Sequence, residues 1–571
     1  MIETFLGYNH NLRIGDGEFY DMENMSSDHF PTLSPRKARA VYKSAEDKLD
    51  GAYSALLGHY EGLCYVDGEY LIVRDDIKIN LKLTQGEKHL VKFGSYIIVM
   101  PDKKWVNLSG KYLTYGDIEV FTEITSEVNF TLCNLAGNPY KADPSDTEPE
   151  SPEDGKLWID TSDKPNVLKK YSDREKKWIS IPTTYVRMEA QGIGMYLSEG
   201  DGVEISGIVT EGLTGLNGSH VIWGVDDRGD YIILQGMILN TGTQDGQITI
   251  SRKMPDMDFI FESNNRMWGC KYGSNAKGQI VNEIYASKLG DFTNWSCYMG
   301  VSTDSYGVSV GTDGKFTGGI SYGGNPIFFK ENCMHKIYGD YPANFQVQTI
   351  PCIGVVYGAE DSLAIVDNVL FYKSRNGVCA YDGSLPAEMS EVFGDIKYYG
   401  ANAVAFEHKY YISMQSNNGW ELFVYDTQKK MWHREGYFFA KSFAEQGGYL
   451  LAIDGDTGHI IDMKTDQPAN ETVDWYVETG LIGMTMPDMK YITKLLVRLS
   501  LAKGAQVSFS IQYDSIGDWK ELCSFSATTL RSYSVPIIPR RCDHFRLGIS
   551  GTGDCKIYSI VKTIEQGSDV S

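Results

Sequence analysis

LAIVDNVLFYKSRNGVCAYDG, residues 363–383, decides the fold. It reads as a short apolar strand, an Asp-Asn turn, a second apolar strand, a turn of Ser, Arg, Asn and Gly, and a third strand ending on Asp-Gly. Related strand–turn–strand units lie on both sides. Downstream are AVAFEHKYYISM (403–414) and SFAEQGGYLLAIDGDTGHIIDM (442–463); upstream are GISYGGNPIFFKENCMHKIYG (319–339), DFIFESNNRMWGC (258–270), HLVKFGSYIIVM (89–100) and GLCYVDGEYLIVR (62–74). The turn residues Asn325, Asn368, His408 and Gly448 are spaced by 43, 40 and 40 residues. A period near 40 with several strands per unit marks β-propeller blades. One four-stranded sheet cannot bury both faces alone, and radial stacking of similar sheets buries them together. Two units before residue 110 and five after residue 255 predict seven blades. The competing reading of the same runs is a pair of ordinary β-sandwiches; the spacing favours the propeller.

Between the second and third units the pattern breaks. The stretch opens with an acidic linker, DPSDTEPESPEDG (143–155), whose three prolines and six carboxylates predict an exposed, extended connection. Next comes KLWIDTSDKPNVLKKYSDREKKWISIP (156–182), with Trp158 and Trp178 flanking a turn-rich centre. MYLSEGDGVEISGIV (195–209) and SHVIWGVDDRGDYIILQGMI (219–238) are strands separated by Gly-Asp-Gly and Asp-Arg-Gly-Asp turns. This is a small β-domain inserted at a loop tip. After residue 471 six strand-like runs, from ITKLLVRLSL (492–501) to CKIYSIVKTIE (555–565), follow the pattern of an antiparallel, jelly-roll-like β-sandwich. The expected organisation is all-β: a first propeller part over 1–123, inserted linker and small β-modules over 124–250, a second propeller part over 251–470, and a C-terminal sandwich over 471–571.

Composition fits this plan. Of 571 residues 59 are Gly and 37 are Tyr, with 42% apolar residues, enough for several cores. The net charge of −22 argues against a protein that grips nucleic acid through a basic face. No apolar run approaches the roughly 18 residues of a membrane span, and the opening MIETFLGYNHNLRIGDGEFYD lacks the cationic and apolar regions of a signal peptide. The ten cysteines contain no C-x-x-C pair, so reduced and mostly buried thiols are expected, in a protein made and assembled in a cytoplasm.

Candidate chemistry is sparse. There is no G-x-S-x-G, H-E-x-x-H or phosphate-loop motif. Asp16, Glu18, Asp21 and Glu23 lack calcium-loop spacing and read as a solvated turn; Asp454 and Asp456 around Gly455 read as an inter-strand turn. Propeller glycosidases use a carboxylate pair, and neuraminidase-type propellers repeat Ser-x-Asp-x-Gly-x-x-Trp; no such box occurs. NNGWELFVYDTQKKMW (417–432) is explained as strand–turn–strand with Trp432 as core anchor. The expectation is therefore not an enzyme, with no catalytic residues, no cofactor and no metal. Trp158 and Trp178 remain candidates for stacking on a glycan; the bland reading, which we favour, is that they form the hairpin's own core.

Several segments resemble tailed-phage and prophage virion proteins of Gram-positive hosts: DGEFYDMENMSSDHFPTLSPRKAR (16–39), NEIYASKLGDFTNW (282–295), GGNPIFFKENCMHKIYGDYPANFQ (323–346), LFVYDTQKKMWHREG (422–436) and PIIPRRCDHFRLGISGTGDCKIYSI (536–560). The Asn-x-Ile-Tyr-x-Ser-x-x-Gly-Asp unit is similar to the packaged-DNA stabilisation and tail-hub (nozzle) proteins of short-tailed phages, which are β-propellers ringing the exit channel. PESPEDGKLWIDTSDKPNVLKKY (149–171) looks like small modules of phage tail and fibre proteins. The resemblance covers most of 1–123 and 255–565; the insert departs from the hub pattern. It implies a virion part of the neck or tail, a homo-oligomeric ring of six copies, or twelve in a portal-adaptor position, touching portal, adaptor and tail proteins, without membrane insertion. Acidity suits that place, since a carboxylate-rich lumen repels phosphate and lets DNA slide. A second reading is a tail-tip adhesin gripping host surface glycan, and a third a polysaccharide depolymerase.

Overall fold

The computed structural model describes residues 1–44, 53–162, 164–275, 278–298, 300, 304–465, 471–526 and 529–567. Among them are strands, turns and four short 3-10 turns, and no α-helix. Among the described residues no helix is long and apolar enough to cross a membrane.

Seven four-stranded antiparallel sheets form the propeller. Blades 1 and 2 occupy residues 56–80 and 89–117; blades 3 to 6 occupy 259–309, 318–351, 364–388 and 401–437. Blade 7 takes three strands from 440–462 and its outermost strand, Ala40–Lys43, from the start of the chain, paired antiparallel to Ile460–Asp462. The ring is thus closed by non-local pairing. The first strand of each blade lies innermost and touches its counterpart or the turn leading into it, all the way round from blade 1 to blade 7 and back.

Blade faces are buried on both sides, so middle strands read as continuous apolar runs rather than alternations. Lys409–Ser416 and Gly419–Asp426 of blade 6 show this. Five of the blade-to-blade gaps hold their own cores, and those between blades 4, 5 and 6 share a larger one with the C-terminal sandwich. Cys64 and Leu71 meet Ile97 and Val99 between blades 1 and 2. Met100 meets Met267 and Trp295 between 2 and 3, and Trp268 meets Phe328 between 3 and 4. The last gap, between 7 and 1, is filled by Leu451, Ile453 and Ile460 against Leu63, Tyr65 and Ile72. The turns between first and second strands also latch neighbours: Asn264 Nδ2 donates to Gly324 O at 2.7 Å, Tyr322 Oη to Asn368 O at 2.7 Å, and Asp367 engages His408 Nδ1 at 2.7 Å.

The connection from blade 2 to blade 3 carries the insert. A ribbon of Val120–Ile124 and Glu127–Cys133 pairs with Gly242–Asp245 and Ile248–Arg252. Its two sides continue through Tyr185–Glu189, Tyr231–Gln235, Gly218–Val225 and Gly202–Ser206 back to the ribbon. Counting each arm of the bent ribbon as one strand, pairing returns to its starting point and six strands close a barrel in Greek-key order around Phe130, Met188, Val203, Ile222 and Leu234. Buried Arg252 pairs with Asp201 inside the insert at 2.6 Å and reaches back to the carbonyl of Ile118, just after blade 2, at 3.2 Å.

The C-terminal sandwich packs a six-stranded sheet on a three-stranded one, with Phe509, Ile511 and Ile549 facing Leu495, Val497 and Ile557. Here the expected boundaries are corrected. Residues 1–35 do not belong to the propeller: Gly7–Tyr8 and Glu18–Glu23 are strands of the six-stranded sheet, the latter paired with Asp474–Thr479. Only Ala40–Lys43 joins a blade. Barrel strands also begin at Val120 and end at Arg252, slightly outside the expected 124–250.

Sandwich and propeller share one apolar core and a charged seam. Tyr8 packs on Phe393 and Phe423 at 6.2 and 5.4 Å. Gly7 lies so close to the outer strand of blade 6 that a Cβ would stand 2.1 Å from Trp432 O, and its φ of +88° also demands glycine. Around this contact Arg36 pairs with Glu471 at 2.8 Å, Arg39 with Glu435 at 3.0 Å, Arg434 with Glu421 at 2.6 Å, and Lys409 with Asp28.

Candidate functional site

The strand ends where one blade leads into the next share a face with the insert. On it, three connections and one blade hairpin bring together residues far apart in sequence. The 4-to-5 connection supplies Tyr357, Gly358, Glu360 and Asp361; the 5-to-6 connection supplies Tyr399 and Gly400. Blade 6 contributes Gln415 and Trp420 from the hairpin around Asn417 and Asn418, and the 6-to-7 connection contributes Phe439.

Their geometry is tight. Trp420 stacks on Phe439, centroids 4.3 Å apart and planes 17° from parallel. Gly400 is held by backbone bonding on both sides, with Tyr399 N donating to Gln415 O and Gln415 N to Gly400 O. A Cβ on Gly400 would touch Gly358 O and Trp420 Cη2, each at 3.6 Å, with Gln415 Oε1 at 3.8 Å. The two glycines therefore leave an open floor between exposed Tyr357 (68%), exposed Tyr399 (52%) and half-buried Trp420. Lys315 stands over the Tyr357 ring at 5.4 Å.

Carboxylates border this floor. The 3-10 turn Glu360–Ser362 packs against the innermost strand Ala401–Phe406 that follows Gly400. Burial pushes the Glu360 and Asp361 carboxyls up; His89, at the start of blade 2's innermost strand, pulls Asp361 back, while Glu87 raises both. Asp361 is exposed, on the 3-10 turn that leads into the innermost strand of blade 5.

Trp158 and Trp178 lie elsewhere, in a four-stranded module (143–180) inside the insert. Asp143–Ser145 pairs parallel with Trp158–Asp160, so the start of the acidic linker is an edge strand. The two indoles meet edge to face at 5.3 Å, and Tyr171 meets Trp178 at 5.4 Å. Trp158 is 5% exposed and donates through Nε1 to Ser145 O at 3.0 Å; Trp178 is half-buried. Trp158 therefore offers no face to a ligand.

The acidic opening is structural: Asp16 pairs with Lys562, Asp21 with Arg434, and Glu18 accepts from Asn9 Nδ2 at 2.9 Å. Asp454 closes its own turn by accepting from Asp456 N and Thr457 Oγ1. Trp432 is the expected anchor, 3% exposed, with Nε1 donating to Met389 O at 2.8 Å. Seven cysteines are buried, Cys352 and Cys523 are half-buried, and Cys297 is exposed. A cavity of about 280 Å³ between blades 5 and 6 is walled by Val369, Phe371, Met389 and Tyr425 and rimmed by Asp367, Asp382 and Lys430.

Sequence reasoning missed the Tyr357–Tyr399–Trp420 group because its members come from separate connections. No local pattern signals it: Tyr-Gly pairs like those at 357–358 and 399–400 recur at several other places in the chain.

No protein-family model and no curated protein matches the chain. Solved structures similar to it include PorZ, a bacterial surface component of the type-IX secretion system of Porphyromonas gingivalis, at TM-score 0.26 and 11% identity, covering 90% of this chain and 77% of that one. An exo-β-1,3-galactanase from Phanerochaete chrysosporium matches at TM-score 0.22 and 8% identity, over 52% of this chain and 95% of that one. The Trypanosoma rangeli sialidase matches at 0.22 and 8%, over 92% and 96%. Likeness at these TM-scores carries no argument about activity, and the propeller assignment rests on the seven sheets. The expectation that the chain is not an enzyme is nevertheless corrected. Two of these similar structures, the exo-β-1,3-galactanase and the sialidase, are enzymes.

Proposed function

We propose that the chain is a structural component of a phage virion, a ring-forming neck or tail-hub subunit whose copies surround the DNA exit path and help retain packaged DNA. The observation that carries this reading is the joint between sandwich and propeller. Arg39 and Glu435 are 11% and 5% exposed and paired at 3.0 Å, Arg36 clamps Glu471 through two nitrogens, and apolar side chains run continuously beneath. A subunit built this way transmits load without a hinge, as a ring under DNA pressure requires. The net charge of −22 supports the same reading, because an acidic lumen does not hold phosphate. Quantitative mass spectrometry of purified particles from a host expressing the chain tests it. Six or twelve copies per particle are expected; absence from particles would refute the proposal.

A further inference from the structure

We propose that the face formed by Tyr399, Gly400, Gln415 and Trp420, bordered by Glu360 and Asp361, binds a glycan carrying free amino groups. This goes beyond the virion-ring reading, and it concerns a site remote from Trp158 and Trp178.

Three features point to this chemistry. First, Trp420 is fixed by its stack on Phe439, so it meets a ligand as a preformed platform. The C–H face of a pyranose is apolar and slightly electropositive, and it complements the negative face of an aromatic ring. Second, the floor beside the indole is bare because Gly358 and Gly400 lack side chains, while the Gln415 amide, the Trp420 Nε1 and the Tyr399 hydroxyl make no hydrogen bond among the described residues. A row of free donors and one amide acceptor around an aromatic plate suits a polyhydroxylated ring. Third, charge selects among glycans. Glu87, Glu360 and Asp361 border the channel side, faced by His89, and Lys315 is set apart over Tyr357. A phosphate- or sulfate-bearing polymer is repelled there, whereas an ammonium on the sugar gains from the carboxylates.

The test uses the full chain and β-1,4-linked glucosamine tetramer at near-neutral pH, followed by calorimetry and tryptophan fluorescence. The fully N-acetylated tetramer and a heparin tetrasaccharide are the comparison ligands. Saturable binding of the glucosamine tetramer is expected, with about tenfold weaker binding once the amines are acetylated and none of heparin. Trp420→Ala and Tyr399→Ala should each weaken binding about tenfold. Gly400→Leu fills the floor while leaving Trp420 on Phe439, and should abolish binding even if Trp420→Ala fails to fold. Glu360→Gln with Asp361→Asn should erase the preference for the free amine. No saturable binding by the wild-type chain, equal binding of the acetylated tetramer, or wild-type affinity in Gly400→Leu would each overturn the proposal.

Discussion

His335 sets a pH dependence that can be worked from its surroundings. It is wholly buried in blade 4, with Nε2 2.9 Å from Thr312 Oγ1 and Nδ1 3.0 Å from Thr349 Oγ1. Burial first, and the Lys330 ammonium second, push its pKa down to about 4. Unfolding restores a pKa near ~6.5. Between those values the unfolded chain binds a proton that the native chain refuses, so stability is complete above pH ~6.5 and is lost as pH falls. One such group costs at most about 1.4 kcal/mol per pH unit, hence about 2 kcal/mol by pH ~5. His433 acts in the same direction: it is 1% exposed, makes no hydrogen bond among the described residues, and is driven well below its ordinary value by burial and then by Lys409. Carboxylates such as Asp28, held low by Lys409 and Lys464 against the opposing effect of burial, act only at lower pH. His335→Gln keeps a neutral partner for the two threonines and removes the titration. Amide exchange in Asn325–Lys330 and Cys333–Tyr338, measured from pH 7 to 5, gives the local opening energy. The wild type should lose about 2 kcal/mol more over this range than His335→Gln. Equal pH dependence in the two proteins would refute the reasoning.

Other consequences follow from the same contacts. Glu435→Gln leaves Arg39 buried without its counter-charge and should cost about 3–5 kcal/mol, seen as a lower unfolding temperature and early proteolysis before residue 44. Gly7→Ala places a methyl against Trp432 O at a φ that disfavours alanine; the sandwich should loosen from blade 6, and protease cuts should appear between residues 463 and 474 while the blades persist. Trp158→Ala removes the centre of the 143–180 module at a cost of about 3–5 kcal/mol and should open that module alone to proteolysis, because its packing is with Trp178 and Lys169.

The propeller was legible because its punctuation repeats. Turns at Asn325, Asn368, His408 and Gly448 recur near every fortieth residue, and the apolar runs between them are long enough to stand out. The N-terminal strands were not. Gly7–Tyr8 is two residues long, Glu18–Glu23 carries three carboxylates and a bulge, and they are strands only because Glu18–Glu23 pairs with Gly7–Tyr8 on one side and with the distant Asp474–Thr479 on the other. Barrel closure was hidden for a related reason: the ribbon bends near residues 125–126 and 246–247, so one long pairing reads as four short strands. Trp158 and Trp178 were legible as a pair, since they flank one hairpin system. The Trp420 platform is assembled from three connections and a hairpin, and no local pattern announces such a meeting.

The most direct test of the proposed role is a three-dimensional reconstruction of a particle containing the chain. The account predicts a closed ring of six copies, or twelve, at the neck or tail hub, with carboxylates lining the lumen that DNA traverses. A chain found only as peripheral copies at the tail tip, or a ring whose lumen is basic, would contradict it.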